Sequence, residues 1–188
     1  MKDLDFGGRL IGEGHPAFVI AEAGVNHNGD LELGKKLIRE AKAAGADAIK
    51  FQSYKAGKIS TKTAPRYWVE PDDPNGSQHD TFAKLDSFGK VEHEALFRCA
   101  LEQDLLCFSA PFDDEAVDML DELGVPGFKI ASADLTDHPL LEKAASKRKP
   151  IILSTGLATI SEIGEAIEVI RKRGNEQIAL LHCTLQYP

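Results

Sequence analysis

The sequence predicts a parallel α/β fold, a TIM (β/α)8 barrel of which this chain contains about six βα units. Short apolar segments alternate with amphipathic helical patterns along the 188 residues, and most connections are short. Such alternation indicates a parallel sheet with right-handed crossovers. In addition, nearly every apolar segment ends in a polar residue. These strand-end residues are Glu22, Gln52, Ser109, Ser132, Ser154 and Thr184.

An open doubly wound sheet is the alternative architecture. No G-x-G-x-x-G motif follows the first strand, which argues against the dinucleotide-binding version of that fold. A barrel gathers all its strand ends around one mouth, whereas an open sheet does not, so the polar strand ends favour the barrel. Because such a barrel takes about 250 residues, we expect residues 1–188 to be an incomplete N-terminal barrel domain of a longer protein.

Composition excludes several classes of function. The net charge is −8 and no Lys/Arg-rich run interrupts it, which argues against a nucleic-acid partner. No apolar run reaches transmembrane length, and the N-terminus lacks the apolar core of a signal peptide. We therefore expect a cytoplasmic protein without a membrane partner. The three cysteines are widely spaced, and reduced buried thiols are the expected state.

The first elements can be predicted in order. Residues 1–16 contain Gly7, Gly8 and Gly12 among apolar residues and predict a small hairpin that caps the bottom of the fold. The run 18–21 is continuously apolar, as expected for a strand buried on both faces. It leads into Glu22 and a loop holding Asn26 and His27, and Asp30 is a plausible N-cap for the helix that follows.

The remaining elements repeat this pattern with one interruption. Residues 53–90 show no clean periodicity, yet they are rich in both turn formers and aromatics, so we predict a long, ordered active-site loop. The other strands are predicted at 48–52, 105–109, 128–132, 151–154 and 178–184.

Two lysines lie inside apolar strands, Lys50 in AIKFQ and Lys129 in FKIAS. A lysine is almost never fully buried unless it is paired, so each predicts an anion partner or a catalytic amine. The alternative is a sheet edge that leaves the ammonium group in solvent. Period-two geometry places Lys50 and Gln52 on the same side of their strand, where Lys129 would converge with them.

Hydroxyl groups and a flexible backbone surround these lysines at the neighbouring strand ends, through Ser132, Ser154 and Gly156. Hydroxyls, backbone N–H groups and lysine are what a phosphate group requires, and a second lysine can hold a carboxylate. The residues therefore predict a small substrate that carries both phosphate and carboxylate. Glu22 is the nearest acid/base candidate.

Six motifs at their order and spacing resemble the sialic acid synthase family, which comprises phosphoenolpyruvate-dependent N-acetylneuraminate synthases and their legionaminate, pseudaminate and spore-coat relatives. The motifs are EAGVNHNG, IKFQ, FSAPF, FKIAS, ILSTG and LLHCTLQYP. The resemblance runs from about Phe18 to Pro188. It implies a TIM barrel followed by a C-terminal antifreeze-like domain, which these 188 residues do not include, and a domain-swapped homodimer.

The resemblance also implies an activity. Family members condense phosphoenolpyruvate with an N-acylated amino sugar in its aldehyde form and release phosphate. Matched motif by motif, the resemblance implies that Lys50 holds the carboxylate of phosphoenolpyruvate and that its phosphate is held by Lys129, Ser132 and Ser154. The residues that would face the sugar are Gln52, Asp134 and Tyr187. Glu22 would position or deprotonate the water, while Asn26 and His27 would shape the mouth. Ser109, within FSAPF, is a further substrate-binding candidate.

The chain departs from the family pattern at three positions. Ala110 stands where threonine occurs, Asp134 where glutamate is usual, and Leu185 where a small polar residue is common. These departures leave the identity of the amino sugar open. A divalent metal, Mn²⁺ or Mg²⁺, is expected for the full-length enzyme, but its two histidine ligands would lie on strands that this chain lacks. No metal ligand is assigned here.

Two other functions fit the sequence. A Schiff-base aldolase would use Lys129 or Lys50 as its amine nucleophile. A non-catalytic fragment that binds a sugar or a partner would need no further strands. Borohydride would trap an imine in the aldolase but not in the synthase. If the reading frame continues into a histidine-bearing strand, the enzyme interpretation is favoured over the non-catalytic fragment.

Overall fold

A computed structural model describes residues 3–66, 68 and 73–185. Its strands are β1 Leu4–Phe6, β2 Arg9–Ile11, β3 Ile20–Gly24, β4 Ala48–Ser53, β5 Leu106–Pro111, β6 Phe128–Ile130, β7 Ile151–Ser154 and β8 Ile178–Leu181. Its α-helices are α1 Leu31–Ala43, α2 Ala56–Ile59, α3 Gln78–Leu85, α4 Lys90–Glu102, α5 Asp114–Glu122, α6 His138–Ser146 and α7 Ile160–Lys172. None of these described helices combines the length and the apolarity needed to cross a membrane.

The six strands from β3 to β8 form two parallel three-stranded sheets. The first sheet has the order β3-β4-β5 and the second the order β6-β7-β8, and β5 packs against β6 where they meet. All the pairings among these six strands are parallel, as the alternating pattern predicted. Their C-terminal ends therefore lie along one edge, where parallel α/β folds place their chemistry.

The faces of β4 show how the sheet separates core from mouth. Ile49 and Phe51 are each 1% exposed and pack with residues of α1 and α4. Ala48 belongs instead to the cluster that contains the large side chains of β5 to β7. Since side chains alternate along a strand, Lys50 and Gln52 share the face of Ala48 and lie nearest its C-terminal end.

The N-terminal hairpin packs beneath the strands, at the end opposite the mouth. Phe6 is fully buried, and its ring meets Phe108 edge-on at a centroid distance of 4.9 Å. The turn of the hairpin uses Gly7 at φ +64°, where a Cβ atom would lie 2.8 Å from Cδ2 of Leu106. A glycine is needed here for both the left-handed backbone and the close approach.

The first parallel strand differs from its prediction. It begins at Ile20 rather than Phe18, and Val19 is 53% exposed, so the expectation of burial on both faces is wrong. The physical reason is that β3 lies at the edge of its sheet. The Val19 backbone is bound by Asp47 instead: its N–H donates to Oδ2 at 2.8 Å and its carbonyl accepts from the Asp47 N–H at 2.9 Å.

The segment predicted as a long loop contains two short helices, α2 and α3. We call residues 54–89 the lid segment. Lys55 Nζ donates to the carbonyl of Phe88 at 3.1 Å, and the Ala56 N–H donates to the Asp86 carboxylate at 2.8 Å, so the two ends of the segment are tied together. The Tyr54 ring, 9% exposed, packs edge-on against aromatic rings on both sides. The described residues of this segment are therefore ordered, and its role at an active site stays a prediction.

Candidate active site

An ion pair joins the ends of β3 and β4. Glu22 stands opposite Lys50 in the parallel ladder, and Lys50 Nζ forms an ion pair with Oε2 of Glu22. The Lys50 side chain is 9% exposed, whereas that of Glu22 is 55% exposed. The lysine thus lies in the floor of the mouth while the carboxylate reaches toward solvent. A buried lysine whose partner is an exposed side chain can exchange that partner for an anionic ligand.

A glycine brings a third side chain to this pair. Gly24 has φ +53°, and a Cβ atom at this position would lie 3.2 Å from Oε1 of Glu22 and 3.6 Å from Nε2 of Gln52. Glu22 and Gln52 therefore meet over the backbone of Gly24. The left-handed backbone and the limited space both favour glycine here.

Lys129 enters the same region from β6. It is 8% exposed, and its Nζ donates to the carbonyl of Ile130 at 2.9 Å. Burial, followed by the charge of Lys50, lowers the pKa of Lys129 to about 8, while Cys183, Glu22 and Asp134 act in the opposite direction. The structure thus brings the two sequence-predicted lysines close enough for the charge of Lys50 to act on Lys129.

Asp134 supplies a buried carboxyl group next to Lys129. It ends the short 3-10 turn Ser132–Asp134 that follows β6. Its Oδ2 atom is buried and has no hydrogen-bond partner among the described residues. Burial, then Asp137, raises the pKa of Asp134 to about 7, and Lys129 opposes this. Buried polar atoms are rarely left unpaired, so Oδ2 marks a place where a ligand hydroxyl or a proton would be held.

The raised pKa predicts a pH dependence of stability. Because the pKa of Asp134 is higher in the folded state than its ordinary value, the carboxyl group stabilises the fold fully below about pH 4. This stabilisation is lost as pH rises through about 7. The Asp134 carboxyl group is partly exposed, which reduces the effect. We therefore expect the unfolding free energy of wild type to fall by about 2 kcal/mol between pH 5 and pH 8, relative to that of Asp134→Asn. Urea denaturation at the two pH values measures this. Exposed Asp114→Asn should follow wild type, and parallel curves for Asp134→Asn would contradict the prediction.

The hydroxyls predicted to bind phosphate lie on the adjoining turns. Ser132 Oγ accepts a hydrogen bond from the Gly156 N–H at 2.9 Å. Ser154 is 5% exposed, and its Oγ lies 3.4 Å from Sγ of Cys183. Because both oxygens accept in these contacts, their own protons can still be donated to an anion. The turns after β6 and β7 are thereby joined beside Lys129.

Two predicted site residues lie elsewhere. His27 is 2% exposed, stacks on Phe88 at 3.9 Å and accepts at Nδ1 from the Gly29 N–H. Burial, then His93, lowers the pKa of His27. Ser109 is fully buried and shares a hydrogen bond with Ser53. Ser109 belongs to the face that α1 and α4 cover, because it alternates with Phe108 and Ala110 along β5. His27 lies against α1, where a Cβ atom at Gly34 would be 3.6 Å from the Cβ of His27. The structure therefore does not bring His27, predicted to shape the mouth, or Ser109, a predicted substrate-binding residue, together with Lys50 and Lys129, and their roles stay predictions.

The remaining predicted site residues are Asn26 and Tyr187. Asn26 is exposed in the β3–α1 loop, where its backbone N–H donates to the Ala23 carbonyl at 2.9 Å, and its role at the mouth stays a prediction. Tyr187 lies outside the described residues, and its role stays a prediction.

Sequence reasoning missed a buried polar group behind the mouth. Ser53 Oγ lies 2.8 Å from Nε2 of His93, which is 3% exposed on the inner face of α4. A signal was present, since His93 precedes Leu96 and Ala100 by three and seven residues and so shares their apolar stripe. Cys183 was also missed as a neighbour of Ser154, because a lone cysteine after a strand carries no pattern.

A metal site was expected only beyond this chain. Within the described ranges, no group of three or more His, Cys, Asp and Glu side chains is placed to hold a metal ion. The mouth residues described above therefore do not fit a metal centre by themselves.

Comparison with known proteins gives concordant results. The family model that matches is the NeuB family, over residues 37–188. The chain is 49% identical over 175 residues to N,N'-diacetyllegionaminic acid synthase of Campylobacter jejuni, covering 90% of this chain and 52% of that protein. It is 44% identical over 188 residues to an uncharacterized protein of Methanocaldococcus jannaschii, covering 100% of this chain and 52% of that protein.

A solved structure extends the likeness to three dimensions. The N-acetylneuraminic acid (sialic acid) synthetase of Leptospira borgpetersenii, crystallised with citrate, superposes with a TM-score of 0.84 at 37% identity. The match covers 100% of this chain and 61% of that one. The predicted TIM-type barrel class, present here as six parallel strands and their helices, is confirmed. The chain spans about half the length of the curated relatives it matches.

Proposed function

Since the chain belongs to the NeuB family, we propose that it forms the barrel part of a synthase that condenses phosphoenolpyruvate with an N-acylated amino sugar to give a nonulosonic acid. The observation that carries the proposal is the pair of buried lysines, Lys50 and Lys129, beside the Glu22 carboxylate at the mouth. Two buried cations suit a small substrate with two anionic groups.

The anionic substrate is assigned to both sheets. In the proposal, Lys50 exchanges its ion pair with Glu22 for one with the carboxylate of phosphoenolpyruvate. Lys129, Ser132 and Ser154 bind the phosphate group, with two hydroxyls and one ammonium group as donors. Support for this division comes from the structure, since Lys50 lies on β4 while the other three lie on β6, β7 and the turns between them.

The reaction has one carbon–carbon bond to form and one carbon–oxygen bond to break. The enol carbon of phosphoenolpyruvate attacks the aldehyde carbon of the open-chain sugar, and the aldehyde oxygen takes a proton. Water adds to the cation left at C2, and Glu22 accepts a proton from that water. Phosphate then leaves with the bridging oxygen, and C2 becomes the ketone of the product.

The sugar is assigned to the side of the mouth lined by Gln52 and Asp134, with Asn26 at the rim. Orphaned Oδ2 of Asp134 would accept from a sugar hydroxyl, or donate to one when it is protonated. The names of the relatives support an N-acetylated or N,N'-diacetylated sugar. A divalent metal and a homodimer are proposed for the natural protein as a whole.

The test uses the natural protein that carries this chain and phosphoenolpyruvate labelled with ¹⁸O in the bridging position. With Mn²⁺ present and N-acetylmannosamine or an N,N'-diacetylated amino sugar, phosphate should be released and should carry the label. A reaction without sugar controls for simple hydrolysis. No phosphate release with either sugar, or label retained in the keto acid, would contradict the proposal.

A Schiff-base aldolase is the second candidate, favoured by one observation. The pKa of Lys129, lowered to about 8, leaves a useful fraction of free amine near neutral pH, which imine formation requires. Incubation with pyruvate and borohydride should then add a stable mass increment to the peptide containing Lys129. The synthase proposal expects no such adduct, so the two functions give opposite results in one experiment.

A further inference from the structure

A directed row of hydrogen bonds lies directly behind the mouth. Ser109 Oγ is 2.7 Å from Ser53 Oγ, Ser53 Oγ is 2.8 Å from Nε2 of His93, and Nδ1 of His93 is 2.8 Å from the Gly89 carbonyl. The three side chains are 0%, 2% and 3% exposed in that order. We call these four residues the relay.

The neutral His93 tautomer that carries its proton on Nδ1 assigns a direction to each hydrogen bond in the relay. The Gly89 carbonyl can only accept, so Nδ1 of His93 carries a proton. Burial, the largest effect, lowers the pKa of His93, which keeps the ring neutral at pH 7 and makes Nε2 an acceptor. Ser53 must therefore donate to His93, and Ser109 must donate to Ser53.

The relay connects three parts of the candidate site. Ser53 ends β4 and immediately follows Gln52, while Ser109 lies on β5 next to Ala110, the register partner of Gln52. Gly89 is the N-cap of α4 and ends the lid segment. The backbone of Gln52 also acts on His93 directly, raising its pKa against the effect of burial.

We propose that His93 is a positioning residue: through Ser53 it holds the Gln52 side chain at the mouth and fixes the end of the lid segment to β4 and β5. Stability alone does not require such a group. Replacing both partners of a buried hydrogen bond by apolar groups of the same shape is often nearly neutral. A fully satisfied polar network adds one defined geometry, which is what a substrate-facing amide needs.

The proposal predicts a selective effect, and for this it rests on the proposed function. Gln52 faces the assigned sugar side, whereas Lys129, Ser132 and Ser154 lie on or just after β6 and β7, outside the relay. Lys50, assigned to the substrate carboxylate, lies on β4 with Gln52 and Ser53, but its ion pair with Glu22 is outside the relay. Loss of the relay should therefore weaken sugar binding more than phosphoenolpyruvate binding. A purely structural role would lower thermal stability and affect both substrates alike.

Two substitutions at one position separate the two ends of the relay. The amide nitrogen of His93→Asn can replace Nδ1 toward Gly89 but cannot reach Ser53. The amide oxygen of His93→Gln can replace Nε2 and accept from Ser53. In the natural protein, the sugar KM should rise about tenfold in His93→Asn, the scale of one lost hydrogen bond, and stay within about threefold in His93→Gln. Ser53→Ala makes the same test without removing a ring, should His93→Asn fail to fold.

A matched control lies at the other end of the barrel. Asn175 is 2% exposed before β8, donates to the Lys149 carbonyl at 2.8 Å and accepts from the Gln177 N–H at 2.9 Å. Asn175→Ala removes buried hydrogen bonds of similar number far from the mouth. It should lower the melting temperature without changing the ratio of the two KM values.

A second readout needs no substrate. ¹⁵N relaxation of the Gln52 side-chain amide and deuterium exchange over residues 54–59 should show greater mobility in His93→Asn and wild-type values in His93→Gln and Asn175→Ala. An unchanged Gln52 amide in His93→Asn, or equal rises in both KM values, would overturn the proposal. If wild type shows no synthase turnover, the proposed function fails, while the amide measurement still decides the positioning role.

Discussion

Replacing Lys129 by methionine is expected to weaken phosphoenolpyruvate binding by at least about 30-fold and to raise the free energy of unfolding by about 3 kcal/mol. The first effect follows from loss of a charge-assisted contact in a largely desolvated site, worth about 2–4 kcal/mol. The second follows from the pKa of Lys129, which burial lowers from 10.5 to about 8. Each unit of that shift is about 1.36 kcal/mol between the two protonation states.

The sign of the stability effect depends on pH. A lysine whose folded-state pKa is lowered costs nothing above about pH 10.5, where it is neutral in both states. The cost grows as pH falls and is complete below about pH 8. Urea denaturation should therefore show methionine stabilising the protein strongly at pH 7 and only slightly at pH 10.

Controls separate charge from packing in this experiment. Exposed Lys36→Met removes a lysine from the outer face of α1 and should change neither binding nor stability. Calorimetry with phosphoenolpyruvate gives the affinity of each variant. Unchanged affinity in Lys129→Met would remove the lysine from the anion site, and unchanged stability at pH 7 would show that the folded protein compensates its charge.

Sequence reasoning predicted the parts of the fold that depend on local pattern. The period-two rule placed Lys50 and Gln52 on one face, and the structure brings both to the mouth beside Glu22. The same rule would have placed Ser109 on the opposite face, since it alternates with Phe108. The motif match named Ser109 as a substrate contact, and motif membership does not say which face a side chain occupies.

What the sequence could not supply depends on contacts between distant segments. Asp134 looks like an ordinary turn carboxylate until the fold buries its Oδ2 beside Lys129. His93 needs a tertiary partner, Ser53, 40 residues earlier in the chain, before its role is visible.

Glu22→Gln is expected to slow turnover at least about 100-fold, the usual scale for general acid–base help, because the amide cannot take a proton from the attacking water. The structure adds a second expectation, which concerns the binding of phosphoenolpyruvate and not the rate of turnover. Glu22 forms an ion pair with Lys50 at the mouth. The neutral glutamine of Glu22→Gln cannot form this ion pair, so Lys50 is more available to the substrate carboxylate. The KM for phosphoenolpyruvate should therefore fall or stay constant, while kcat decreases by the factor given above.

Steady-state phosphate release by the natural protein, with each substrate varied in turn, separates these two expectations. Glu32→Gln, on the first turn of α1, removes an exposed carboxylate that pairs with Lys35 and should leave both parameters at wild-type values. Near-normal kcat in Glu22→Gln would make Glu22 a structural partner of Lys50. A rise in KM alone would make it a binding residue, because a group that acts mainly in the transition state lowers kcat without weakening the ground state.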